Sequence, residues 1–181
     1  MKKLVIAMVL LVTFSACKTP EARRPISVKT GSFIDQSVER NKKLIAEEHA
    51  IIKTLIEADT NTEYLASPNG FWYTYNTKVQ AESGTPGFGD LVNFDYDVKD
   101  LKGNTIYTQE QLRTQNYAMD QQELFSGLRE GLKLMKAGET VTFLFPSQKA
   151  YGYYGDSKSI GTNVPLVCQV TVNTITQKET N

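Results

Sequence analysis

Val92, Phe94, Tyr96 and Val98 alternate with Asn93, Asp95 and Asp97. Successive side chains of a strand point to opposite faces, so this run has one apolar face to bury and one polar face for water. The period of two recurs. Val141, Phe143 and Phe145 flank Thr142 and Leu144, and Leu166, Cys168, Val170 and Val172 interleave with Val167, Gln169, Thr171 and Asn173. Phe71 to Val79, aromatic and β-branched, reads as another strand. Lys102-Gly103-Asn104 reads as a turn, with Thr105 to Thr108 as its returning strand. A sheet with one apolar face needs a cover, and Gln122 to Lys136 offers one, with Phe125, Leu128, Leu132 and Met135 at helical spacing. Gly127 and Gly131 lie inside that helix, each at a cost of about 1 kcal/mol relative to Ala. Their presence makes sense if something packs close against their face. Gly138 is the expected stop. The fold class is α+β, a mostly antiparallel sheet packed on one short helix.

Ahead of the sheet, residues 33–66 read as a helical arm. Leu44, Glu48, Ile51, Ile52, Leu55 and Ile56 fall on one face, and Lys42, Lys43, Glu47, Lys53 and Glu57 on others. An arm with an apolar face either folds back on its own domain or joins two copies into a homodimer. Ser67-Pro68-Asn69-Gly70 ends the arm, Ser83 to Asp90 is a glycine-rich loop, and Pro146 to Asn163 is a long loop rich in tyrosine and glycine.

The first residues are an address. Met1-Lys2-Lys3 is basic, and Leu4 to Phe14 is apolar apart from Thr13. As a helix that run rises roughly 16 Å, about half of a bilayer core, so it is a signal peptide and not a span. Phe14-Ser15-Ala16-Cys17 resembles the bacterial lipobox, which implies cleavage before Cys17 and its acylation. Each buried acyl CH₂ contributes about 0.8 kcal/mol, so two or three chains anchor firmly. The expected organisation is leader 1–16, tether 17–32, arm 33–66, globular domain 67–177 and tail 178–181, on a protein lipid-anchored in a bacterial envelope.

Composition excludes several functions. Twenty basic residues balance twenty acidic ones, which gives no field for nucleic acid. Two cysteines and one histidine are too few for a zinc site or a disulfide framework. Cys168 falls on the apolar side of its strand and reads as an inert core thiol, and His49 has no second ligand at hand.

Two segments carry a known pattern. One is Leu124-Phe125-Ser126-Gly127-Leu128-Arg129-Glu130-Gly131-Leu132, with Met135, Gly138 and Glu139 following. The other is Pro146-Ser147-Gln148-Lys149-Ala150-Tyr151-Gly152, then Gly155, Ile160 and Pro165-Leu166-Val167. In that order and spacing they resemble the FKBP-type peptidyl-prolyl isomerases, and Asp90 to Val98 with Gly103 and Ile106 looks like the preceding family hairpin. The layout of lipobox, arm and domain is also similar to the FKBP-like lipoproteins of gliding motility in Bacteroidetes. The resemblance implies a sheet curled around the helix, enclosing an aromatic-lined pocket for a prolyl ring. It implies catalytic roles for Tyr96, on the sheet wall, and Tyr151, donating a hydrogen bond to a substrate carbonyl. Ile106, Tyr117, Leu124, Phe125, Leu128 and Ile160 would bind the substrate. It implies no cofactor and no metal, and as partners the proline-containing segments of exported proteins.

Such residue types suit the reaction. An X–Pro bond exchanges over a barrier of about 20 kcal/mol with no bond made or broken. The twisted amide has a less polar carbonyl than the planar one, so a dry apolar wall favours it. About 4 kcal/mol of such preference gives roughly a thousandfold acceleration. Three departures from the family pattern stand out. Ile106-Tyr107 occupy a pair whose second member is commonly aspartate, Leu128 stands where tryptophan is common, and Cys168 where phenylalanine is. A phenol is no carboxylate, so low turnover with retained proline binding is expected. The rival reading is a non-catalytic proline-binding module or chaperone in an envelope complex.

Overall fold

The chain's computed structural model describes residues 30–80 and 84–178. The leader, Cys17 and most of the tether lie outside them, although the last tether residues, from Thr30, are helical. The chain divides into two compact units, Met1–Ser37 and Val38–Asn181. No helix among the described residues is long and apolar enough to cross a membrane.

Helix α1 (Thr30–Ala58) leads into β1 (Leu65–Ala66) and β2 (Trp72–Thr77). Then follow β3 (Leu91–Tyr96), β4 (Val98–Asp100), β5 (Thr105–Tyr107), a single helical turn α2 (Gln109–Leu112) and β6 (Gln115–Ala118). Helix α3 (Ser126–Leu132), β7 (Thr140–Phe145), a 3₁₀ turn (Ser147–Lys149) and β8 (Leu166–Thr176) complete the chain. The strands form one antiparallel sheet in the order β1-β2-β7-β8-β3-β6, with β4 pairing β5 and β8. Register shifts between Tyr75 and Thr77, between Asn93 and Phe94, and between Val98 and Lys99 are the irregularities that bend and twist strands.

The alternation does what its period demands. Val92, Phe94, Tyr96, Val98, Val141, Phe143, Phe145, Leu166, Cys168, Val170 and Val172 are buried in one cluster with Leu128 and Leu132 of α3. Asn93, Asp95, Asn116 and Asn173 hydrogen-bond to one another across three strands on the opposite face. The two glycines let α3 lie on the sheet. A Cβ at Gly127 would stand 2.6 Å from Phe145 and 2.7 Å from the Lys149 carbonyl, and one at Gly131 would stand 2.9 Å from Phe143. Phe143 and Phe145 stack at 5.3 Å beneath them.

Four boundaries differ from expectation. Helix α3 covers Ser126–Leu132 and not Gln122–Lys136. Gln122 is held outside it, its side chain accepting from the Ala118 N–H and its carbonyl from the Tyr117 hydroxyl. Beyond Leu132 the bonds tighten to i→i−3, from Leu134 to Gly131 and from Met135 to Leu132, while Met135 stays buried. The arm's helix ends at Ala58, eight residues before the predicted limit, and residues 65–66 pair as β1. Turn α2 was not expected. It forms on a capping box between Thr108 and Gln111. Strand β6 is too short for periodicity to reveal.

The arm rests on its own domain by a narrower face than the sequence suggested. Glu48 and Ile52 are buried, whereas Ile51 and Leu55 remain 52% and 37% exposed. Glu48 accepts from the Ser147 N–H at 2.8 Å and from the Ser147 hydroxyl at 2.6 Å, and His49 meets Trp72 edge-on at 5.0 Å.

Candidate functional site

Tyr151 follows the 3₁₀ turn that ends β7. The Ser147 carbonyl accepts from the N–H groups of both Ala150 and Gly152, which fixes the backbone on either side of the tyrosine. Its ring lies 5.2 Å from Phe125, whose own ring meets Phe145 at 5.4 Å. Phe125 is the last extended residue before α3, so the start of that helix and the start of the long loop meet at one aromatic contact.

Two cavities adjoin at Tyr151. The larger, about 610 Å³, is lined by Gln122, Glu123, Leu124, Phe125, Arg129, Ala150 and Tyr151. The smaller, about 420 Å³, is lined by Tyr107, Gln111, Leu112, Tyr151, Asp156 and Lys158. Tyr96 stands close by on β3, near enough to Tyr151, Tyr107 and Cys168 to interact with each electrostatically. The Tyr96 and Tyr151 hydroxyls find no hydrogen-bond partner among the described residues; Tyr151 lines both cavities, whereas Tyr96 is buried and lines neither. Burial pushes the Tyr151 phenol up to about 12, with Asp156 adding to the effect. Burial raises Tyr96 further still, with Tyr151 as its next cause. Both remain neutral hydrogen-bond donors well above neutral pH.

Of the residues named from sequence, Leu124, Phe125 and Tyr151 share the larger cavity. Tyr96, Tyr117, Leu128 and Ile160 are buried in the core beneath, and Ile106 packs partly buried against it. The Tyr117 hydroxyl is already engaged, donating to the Gln122 carbonyl and accepting from the Asp120 N–H. It braces the segment leading to Leu124. Cys168 is fully buried and its thiol is pushed up by that burial, as a core residue should be.

Sequence reasoning missed Asp156. Its Oδ2 accepts from the Tyr107 hydroxyl, and its Oδ1 accepts from the Lys158 and Ile160 N–H groups at 2.9 and 2.8 Å. Burial alone would raise this carboxyl. The Tyr107 and backbone donors outweigh it and hold it below its ordinary value. The position expected to lack a carboxylate therefore has one supplied from across the cavity. The available signal was an aspartate after glycine, two and four residues before the N–H groups it binds.

A phenol without a protein partner, set beside Phe125 at the head of a helix on an antiparallel sheet, is suited to binding and orienting a ligand. The chain belongs to the FKBP-type peptidyl-prolyl cis-trans isomerase family, whose pattern matches residues 82–173. A probable FKBP-type peptidyl-prolyl cis-trans isomerase, FkpA of Neisseria meningitidis serogroup B, is 29% identical over 96 residues, 53% of this chain and 35% of that protein. The chain thus spans about a third of that relative's length. Among solved structures, a peptidyl-prolyl cis-trans isomerase of Pseudomonas syringae superposes with a TM-score of 0.60 at 19% identity, over 75% of this chain and 96% of that one. FkpA from Escherichia coli does so with a TM-score of 0.60 at 19% identity, over 98% of this chain and 83% of that one.

Proposed function

We propose that this protein catalyses cis–trans isomerisation of X–Pro bonds in the cleft around Tyr151. The observation that carries the reading is the unengaged Tyr151 hydroxyl, held against Phe125 at the junction of two cavities. A proline ring pressed on Leu124 and Phe125 would leave its neighbouring carbonyl within reach of that hydroxyl. The aromatic wall then favours the twisted, less polar amide over the planar one. Tyr96, from the sheet side, adds a second neutral donor.

The test is an isomerisation assay on the full-length chain with a proline tetrapeptide. Wild type is expected to accelerate exchange, and Tyr151→Phe to lose about tenfold in kcat/KM, the scale of one lost transition-state hydrogen bond. A folded wild type that binds proline peptides without accelerating exchange would establish the rival, a proline-binding module. Leu128 favours that rival, since it is fully buried and offers no ring to the cleft.

The leader and Cys17 support a finer reading, in which the enzyme is a lipoprotein of the bacterial envelope acting on exported proteins. Palmitate labelling that survives Cys17→Ser would overturn it. A role in gliding motility has the similarity of layout as its support, and deletion of the gene with spreading unimpaired would overturn it.

A further inference from the structure

The loop that carries Tyr151 and Ile160 closes largely on itself. The Gly152 carbonyl accepts from the Asn163 N–H at 2.8 Å, and the Asp156 N–H donates to the Ile160 carbonyl at 3.0 Å. Gly155, at φ +65°, sits where a Cβ would be 2.2 Å from the Ile160 carbonyl, so the turn that aims Asp156 has room only for glycine. While Ile160 packs in the core, the hydrogen bonds that tie residues 156–160 to a different element run, among the described residues, through one group, the Tyr107 hydroxyl at the end of β5. It donates to Asp156 and accepts from the Ser159 N–H at 3.2 Å. Tyr107, Asp156 and Tyr151 line the same cavity, and the same aspartate holds the Ile160 N–H.

We propose that Tyr107 and Asp156 form a latch between β5 and the long loop, and that they are positioning residues for the isomerisation, holding Tyr151 in place at the cavity it shares with them. The inference rests on the reading given above. With the latch closed, the phenol of Tyr151 has a fixed place relative to Phe125. With it open, residues 156–160 keep their own turn and the core packing of Ile160 but lose their hydrogen bonds to β5. A misplacement of about 1 Å in a positioned group can cost up to a hundredfold in rate.

The experiment compares Tyr107→Phe, Asp156→Asn and the double variant, each with and without Tyr151→Phe, by steady-state isomerisation of a proline tetrapeptide. Each single latch variant is expected to lose about tenfold in kcat/KM, mainly in kcat, with the double variant no worse than the poorer single. Tyr151→Phe should cost less in latch-open variants than in wild type, because the hydroxyl is no longer well placed there. A merely structural contact would leave that Tyr151 penalty unchanged. Faster amide exchange at Ile160 in Asp156→Asn should accompany the loss. If Asp156→Asn does not fold, Tyr107→Phe, which removes only one oxygen, carries the test alone. Wild-type rates in a folded latch variant, or losses that multiply in the double variant, overturn the latch and leave the enzyme standing. A wild type without activity overturns the underlying reading and the latch with it.

Discussion

Tyr96 and Tyr151 carry the proposed chemistry at the scale of single residues. Their hydroxyls have no protein partner among the described residues, and burial holds them neutral. Tyr151 is pushed up to about 12 from an ordinary 10.0, so the folded state disfavours phenolate. Its contribution to stability is complete below the unfolded value and is lost as pH rises from there toward the folded one. The expected pH–rate profile is flat from neutrality to about pH 10, with stability declining above that. A fall in kcat/KM beginning below pH 9, with the protein still folded, would show that the phenol titrates normally and is not enclosed as described. The residues of this site were legible from spacing only in part. Tyr151 and Phe125 stood out because their neighbours form a dense pattern. Asp156 did not, because its significance lies in a bond to Tyr107, 49 positions earlier. No local periodicity encodes such a pairing.

Elements place those residues. Helix α3 needs Gly127 and Gly131 to approach Phe143 and Phe145, and its shortness leaves Phe125 extended at its head, facing Tyr151. The 3₁₀ turn before Tyr151 is held from the other side, by the arm. Ser147 is 2% exposed, and its N–H and hydroxyl both donate to Glu48. Removing the acceptor would strand two buried donors, so Glu48→Ala should destabilise the protein by about 3 kcal/mol, and Glu48→Gln, which keeps an acceptor, by less. Urea denaturation measures both. A Glu48→Ala variant as stable as wild type would mean that water replaces the carboxylate at no cost. The sequence marked Glu48 only as a polar intruder on an apolar stripe. That intrusion was the clue, since an acid at a buried position implies donors waiting for it.

At the scale of the molecule, the alternating strands were the most legible part. A strand with one dry face has a single way to lie on a core, and β3, β7 and β8 were each visible as such. The short pieces β1, α2 and β6 were not, because four residues or fewer carry too little pattern to outweigh their neighbours. The arm's direction of packing was likewise hidden. The apolar stripe of α1 is broad, and only its actual partners, Ser147 and Trp72, select the part that is buried.

The grip of Glu48 on Ser147 spans 99 positions of chain, and β8 pairs with β7, β3 and β4. Long-range pairings of this kind form late and slowly. The candidate cleft therefore takes shape only when segments far apart in the sequence have met. No single stretch of the chain can hold the cleft's shape by itself.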